Sequence, residues 1–227
     1  MAPTTSIRSL GIRNEVAALK RARTIAAAVE LFYQNGYQNT TLEMVADRLG
    51  VTKPFIYAHF ASKSELLADI CSHAIASSIE AIDSVLPLRV PPTEKLRLLA
   101  ERFVTAVLSS QMHIAIFSRE EKNLAAADLE RINDMRRAFD RKLTALLRRG
   151  AETGEFSMTD ARLAALAIGG MVSWAYVWYR AGGALSLEQV SAEMSRLILN
   201  MVKAGTVPVA GGATGRGRAP VKIRAER

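Results

Sequence analysis

The chain has 227 residues, 49% of them hydrophobic and 23% charged, and a formal net charge of +8. That length and usage suit one globular domain or two small ones with a sizeable core, and exclude a fibrous or wholly disordered chain. No apolar run approaches the roughly 18 residues of a membrane span, no signal-peptide pattern opens the chain, and the single cysteine, Cys71, cannot form an internal disulfide, which together suit a reducing cytoplasm and no membrane partner.

In chain order, residues 1–14 read as a flexible arm, in which Arg8 and Arg13 either reach a minor groove or stay disordered. A first helix is expected from about Glu15 to Gln34, with Ile25, Val29 and Phe32 on one face and Gly36 just past its end. Thr40 and Glu43 then have capping-box spacing for a second helix, whose apolar face is Leu42, Val45, Ala46 and Leu49. Gly50 supplies a sharp corner, Thr52 can cap a third helix, and Pro54 is tolerated in its first turn. Ile56 and Phe60, four apart, point that short helix into a core. Its other side offers Lys53, Pro54, Phe55, Tyr57 and Ala58, so it has a narrow apolar back and an open front, as a major-groove reader requires. Phe55 and Tyr57 can instead pack inside a small domain.

Ser62 and Glu65 repeat the capping device for a long fourth helix to about Leu86, where Pro87, Pro91 and Pro92 interrupt the chain. Further helices are expected near 93–110, 112–122, 126–151, 159–181 and 187–203, with Ser157–Asp160 and Ser186–Gln189 as cap signals and Gly150, Gly154 and Gly182–Gly183 as stops. The longest has one face marked by Leu129, Ile132, Phe139, Leu143 and Leu146. No window alternates convincingly enough for a strand, so the expected class is all-α with about nine helices. The segment LAALAIGGMVSWAYVWYR is apolar almost all round and needs cover on several sides, with Gly169 and Gly170 permitting close helix approach. Val190, Met194, Leu197 and Met201 give the last helix a seam for helix pairing, within a monomer or between two copies.

The basic excess is uneven. Residues 1–70 hold eight Lys/Arg against six Asp/Glu, residues 71–202 sixteen against fifteen, and residues 203–227 six against one. The Gly-, Pro- and Arg-rich tail from 205 to 227 reads as disordered, either adding salt-sensitive attraction to DNA or simply aiding solubility. Three scattered histidines (His59, His73, His113) show no metal-ligand spacing, and no nucleophile–base pair or phosphate-cradling glycine loop is present. Neither an enzyme nor a cofactor or metal protein is expected.

Residues from about Arg21 to Ser72 resemble the N-terminal domain of TetR-type (tetracycline-repressor-like) regulators. The resemblance rests on RARTIAAAVELFYQNGYQNTTLEMVADRLGV followed by IYAHFASKSELL: an alanine-rich helix, the GYxxTT corner, a VAxxxGV turn, a YxHF helix end and an SKxEL start. It implies a helix–turn–helix domain over 15–78 and an effector-binding and dimerisation domain over 79–204. It further implies a homodimer on a near-palindromic double-stranded operator, acting as a ligand-released repressor. On the family pattern Thr40 and Thr41 meet phosphate, Thr52, Lys53, Pro54 and Phe55 enter the groove, and Tyr57, His59 and Lys63 contact phosphate. In the C-terminal half, SREEKNL and WYRxGG are similar to regulators of fatty-acid, steroid and aromatic-acid catabolism, which implies an acyl or coenzyme A thioester effector. Arg119 and Arg180 would then be anchors, and Phe103, Phe117, Met171, Trp174 and Trp178 walls. Ile168, Gly169, Val172, Val190, Met194, Leu197 and Met201 would form the dimer interface. The alternative is a sequence-tolerant architectural DNA-binding protein without an effector.

Overall fold

The computed structural model describes the backbone from Thr5 to Lys203 and side chains from Asn14 onward. The described residues form nine α-helices and no strand. They are α1 (Thr5–Asn35), α2 (Leu42–Leu49), α3 (Lys53–Tyr57), α4 (Lys63–Val85), α5 (Pro92–Ser109), α6 (Gln111–Glu120), α7 (Ala126–Glu152), α8 (Ala161–Trp178) and α9 (Leu187–Lys203), with a 3-10 turn (Glu121–Asn123) after α6. The all-α expectation is met, although α1 starts ten residues earlier than expected and includes Arg8 and Arg13. The basic tail lies outside the described residues.

Caps explain most boundaries. Ser62 accepts from the Glu65 amide at 3.1 Å to start α4, and Ser186 and Gln189 cap each other reciprocally at the start of α9. Two cap expectations shift. Thr41, not Thr40, caps α2 by accepting from the Met44 amide. Asp160, not Ser157, caps α8, its carboxylate accepting from the Arg162 and Leu163 amides, which also lowers its pKa. Thr52 stands at the N-cap of α3 but makes no side-chain cap bond.

Two apolar cores result. The first joins Val29, Phe32, Val45, Ile56, Phe60, Leu66, Leu67 and Ile70 of α1 to α4. The second joins Ile82, Leu99, Phe103, Val107, Phe139, Leu143, Leu147, Ile168, Val172 and Ile198 of α4, α5 and α7 to α9. Phe32 and Phe60 are at most 1% exposed, so truncating either to Ala costs about 3–5 kcal/mol. Sequence spacing does not reveal that Ile116, Phe117 and Ile132, from α6 and α7, pack into the first core. The two units are thereby interlocked, with α4 running from one core into the other.

One compositional expectation needs correction. α8 is 18 residues long with a mean hydropathy of 1.2, enough by length and composition for a membrane span, and only 22% of it is buried. Ala165, Ile168, Val172 and Ala175, at helical spacing, face the second core. Leu163, Leu166, Trp174, Val177 and Trp178 face outward.

Candidate DNA interface and effector cavities

The corner before α2 is held by side chains that donate to backbone carbonyls. Gly36 takes a φ of +80°, which a side chain would oppose. Thr40 is fully buried, and its hydroxyl donates to the Gly36 carbonyl at 2.9 Å and that of Leu31 at 3.3 Å. Lys63, at the start of α4, donates from Nζ to the Tyr37 and Thr40 carbonyls, both at 2.9 Å, and sits 4.3 Å from the Tyr37 ring centroid. These facts correct the reading of Thr40 as a phosphate contact: its hydroxyl fixes the corner. They also give Lys63 a structural duty, leaving it one free N–H. Thr41 is exposed at the positive end of α2, where helix amides receive an anion.

The third helix is anchored by buried Ile56, with Phe60 behind it, and turns Thr52, Lys53, Pro54 and Tyr57 outward. Phe55 and His59 are half-buried, their rings edge-on at 5.5 Å, with the Lys20 ammonium 5.4 Å from Phe55. Phe55 is therefore shared between packing and the open front. Lys53 pairs with Glu43 of α2, and this hydrogen bond lowers the carboxyl's pKa and raises the ammonium's. Both groups are exposed, so little opposes exchange of the pair for another acceptor. Arg21, to which sequence spacing assigns no role, ties α1 to the turn after α3 and to α4 by donating to the His59 carbonyl at 2.6 Å and pairing with Asp69. Its partners lie 38 and 48 residues away, beyond any local pattern.

The expected effector residues separate into several places. Phe103 lines a cavity of about 350 Å³ between α4 and α8 that is partly open to the surface, with Ala74, Ile75, Ser78, Arg136, Asp140 and Gly169. Arg119 and Arg180 share a different cleft with Tyr33, Gln111 and Tyr176. There Arg119 donates to the Tyr33 carbonyl at 3.3 Å, and Arg180 donates to the carbonyls of Val177 and Tyr179. Met171, Trp174 and Trp178 line a third cleft, of about 300 Å³, with Val190, Met194 and Leu197. Phe117 belongs to the first core, with the Arg136 guanidinium 4.3 Å from its ring. No single cavity collects the predicted set.

The SREEKNL segment is a joint. Glu120 accepts from the Tyr37 amide at 3.3 Å and from Asn123 Nδ2 at 2.7 Å, and Asn123 accepts from Gln38 Nε2 at 3.1 Å. The end of α6 is thus latched to the corner that presents α2. Cys71 is buried and its thiol is pushed up to about 12, chiefly by desolvation, which leaves it almost entirely protonated and a poor redox sensor.

Among the expected interface residues, Ile168, Val172, Val190 and Met194 are buried in the protomer's own core. The outward apolar surface comprises Leu166, Trp174, Val177 and Trp178 of α8 with Leu197 and Met201 of α9. Gly169 and Gly170 sit beside open space, with nothing within 4 Å of an added Cβ on either.

A helix–turn–helix latched onto an all-helical domain that carries several clefts is the architecture of a helix–turn–helix transcriptional regulator. A model described as "Bacterial regulatory proteins, tetR family" matches residues 25–70, and one described as "Tetracyclin repressor-like, C-terminal domain" matches residues 89–202. The chain belongs to the TetR family. It is similar to the TetR family transcriptional regulator PfmR of Thermus thermophilus, at 30% identity and a TM-score of 0.71, covering 78% of this chain and 97% of that one. It is 26% identical to the HTH-type transcriptional repressor KstR2 of Mycolicibacterium smegmatis over 202 residues, covering 88% of this chain and 94% of that protein. The fold alone is shared with AibR, solved in complex with isovaleryl coenzyme A and operator DNA, at 21% identity and a TM-score of 0.66, covering 82% of this chain and all of that one.

Proposed function

We propose that this chain is a homodimeric repressor that holds a near-palindromic operator and releases it when an acyl or coenzyme A thioester effector fills the cavity between α4 and α8. The observation that carries this reading is the double use of α4. At its N-terminus Lys63 holds the corner that presents α2, and further along the same helix Ala74, Ile75 and Ser78 wall the cavity. A ligand that prefers a shifted α4 therefore acts on the DNA-reading corner, limited by its differential affinity for the two arrangements.

In this reading Thr41 and the amides of α2 take a phosphate, Thr52, Lys53 and Pro54 face the bases, and Tyr57, His59 and the free N–H of Lys63 take further phosphates. The apolar surface of α8 and α9, with Trp174, Trp178 and Leu197 outward, supports pairing with a second copy, which sets two recognition helices about one DNA turn apart. The coenzyme A complex of the fold relative AibR supports the effector class. The working place of such a protein is the cytoplasm.

The test is mass spectrometry of small molecules that co-purify with native protein, followed by titration of each into a protein–operator complex. An acyl or acyl-thioester species that frees the operator at a stoichiometry of about one per protomer is the expected result. An operator that stays bound at saturating concentrations of every recovered ligand would overturn ligand control.

A further inference from the structure

α7 carries a basic stripe outside the helix–turn–helix unit and outside the apolar outward face of α8 and α9. Arg137, Arg141, Thr144, Ala145 and Arg148 follow one another at helical spacing, so they share a face. With Arg162 and Leu166 of α8 and the carboxyl of Asp140 they line a cleft of about 500 Å³. Arg137 is already occupied by Glu130 and Asp134. Among the described residues Arg141, Arg148 and Arg162 make no side-chain hydrogen bond or ion pair. Arg148 and Arg162 do feel the nearby Asp160 carboxylate, whose pKa they help to lower, but three guanidiniums without a hydrogen-bonded partner line one concave site whose own wall carries a single carboxyl. Planar guanidinium forks in such a setting suit phosphate oxygens, which they bind in pairs of charge-assisted hydrogen bonds.

The cleft also has a neighbour. Asp140 and Leu166 line both it and the 350 Å³ cavity, whose remaining walls include Ile75, Phe103, Val107, Ile114 and Phe139. An apolar chamber and an arginine-lined one meet at that shared wall, each within the size range of a ligand site. Asp140 at the neck is part-buried, and desolvation raises its pKa against the opposing pull of Arg136. It is placed to accept an N–H or O–H from whatever links the two halves of a ligand.

The geometry points to a bipartite effector site: an apolar body occupies the inner cavity, and a phosphorylated head is held in the α7–α8 cleft by Arg141, Arg148 and Arg162. This rests on the ligand-controlled reading above and moves the anionic anchor from Arg119 and Arg180 to a different face of the domain. Arg119 and Arg180 stay with the carbonyls they already serve.

The phosphates of such a head can belong to the effector itself or to a separate phosphorylated metabolite, and three probes distinguish these: decanoyl coenzyme A, free coenzyme A and inorganic pyrophosphate. Each is titrated calorimetrically into the full chain and into Arg141→Ala, Arg148→Ala, Arg148→Lys and Gly169→Leu. Gly169 lines the cavity and an added Cβ there meets nothing within 4 Å, so a larger side chain can start from this position into the cavity space. Expected is thioester binding that each arginine-to-alanine change weakens roughly tenfold, that Arg148→Lys restores only in part because a lysine lacks the paired donors of the fork, and that added salt weakens. Gly169→Leu should abolish the gain of thioester over free coenzyme A while leaving free coenzyme A binding unchanged. Arginine variants that bind the thioester like the parent overturn the cleft, even where the thioester still frees the operator and ligand control stands. Pyrophosphate binding as tightly as the thioester, with Gly169→Leu inert, overturns the bipartite arrangement in favour of a separate metabolite. No binding of any probe at millimolar concentration overturns the cleft as a phosphate site. If the co-purified ligand still frees the operator, the ligand-controlled reading survives that outcome.

Discussion

At the scale of single residues, the DNA-reading unit separates groups that build from groups that are free to read. Lys53 is exposed and bound only to an exposed carboxylate, whereas Lys63 spends two of its three N–H donors on the corner carbonyls. Lys53→Ala should therefore relax base preference by about 1–3 kcal/mol at particular operator positions with little change in melting temperature. Lys63→Ala should weaken binding to specific and random DNA together and lower the melting temperature as well. Fluorescence anisotropy on both kinds of DNA, paired with thermal melts, distinguishes the two; equal loss on both DNAs for Lys53→Ala would contradict its groove role. His113 gives a pH prediction. Its Nδ1 is buried without a partner, and desolvation, with the His73 ring stacked at 4.3 Å, pushes its pKa down to about 4. A depressed pKa means the folded state resists protonation, so this contribution is whole above about 6.5 and is lost as pH falls toward 4. Stability should drop by ~2 kcal/mol over that window, allowing for partial exposure, and His113→Phe should flatten the drop in urea melts. Of these roles, the exposed front of α3 was legible from spacing. The burial of Thr40 and the work of Arg21 were not, because their partners come from chain segments brought together only by folding.

At the scale of elements, the periodicity of apolar residues and the cap signals located nearly every helix, since each of those signals is local. The docking of α6 was not local. Its end holds the α1–α2 corner through Glu120, Asn123 and Gln38, although SREEKNL reads in sequence like a ligand anchor. Asn123→Ala should leave ligand affinity intact yet raise the ligand concentration needed to free the operator, because one strut between cavity and corner is gone. Measured ligand affinity and operator release shifting in parallel would contradict the strut. Glycines differ by element in the same way. A Cβ at Gly150 would lie 1.9 Å from the Phe156 ring, whereas one at Gly170 meets open space. Gly150→Ala should cost about 1–3 kcal/mol through forced repacking, while Gly170→Ala should gain up to about 1 kcal/mol of helix propensity in the isolated protomer.

At the scale of the whole molecule, the modest charge of the DNA-reading segment matters most. With only eight basic residues against six acidic ones across residues 1–70, non-specific attraction through that segment is weak, and in the proposed dimer selectivity comes from a few placed groups presented twice. In the proposed dimer the second presentation depends on the outward face of α8 and α9, where Trp174 is 63% exposed, Trp178 49% and Leu197 45%. Large apolar side chains crowded on one face mark an interaction surface. The sequence showed that α8 is apolar all round but not how it is divided. Ile168 and Val172 went to the protomer core and the tryptophans outward, a choice made by how α5 and α7 pack beneath it. The measurement that bears most directly on the account is a footprint of the purified protein on the DNA upstream of its own gene, with and without an acyl coenzyme A ligand, alongside Trp174→Glu. The account predicts one protected near-palindrome, erased by the ligand and absent for the variant, which should sediment as a monomer. Uniform protection along the fragment, indifferent to both ligand and variant, would contradict it.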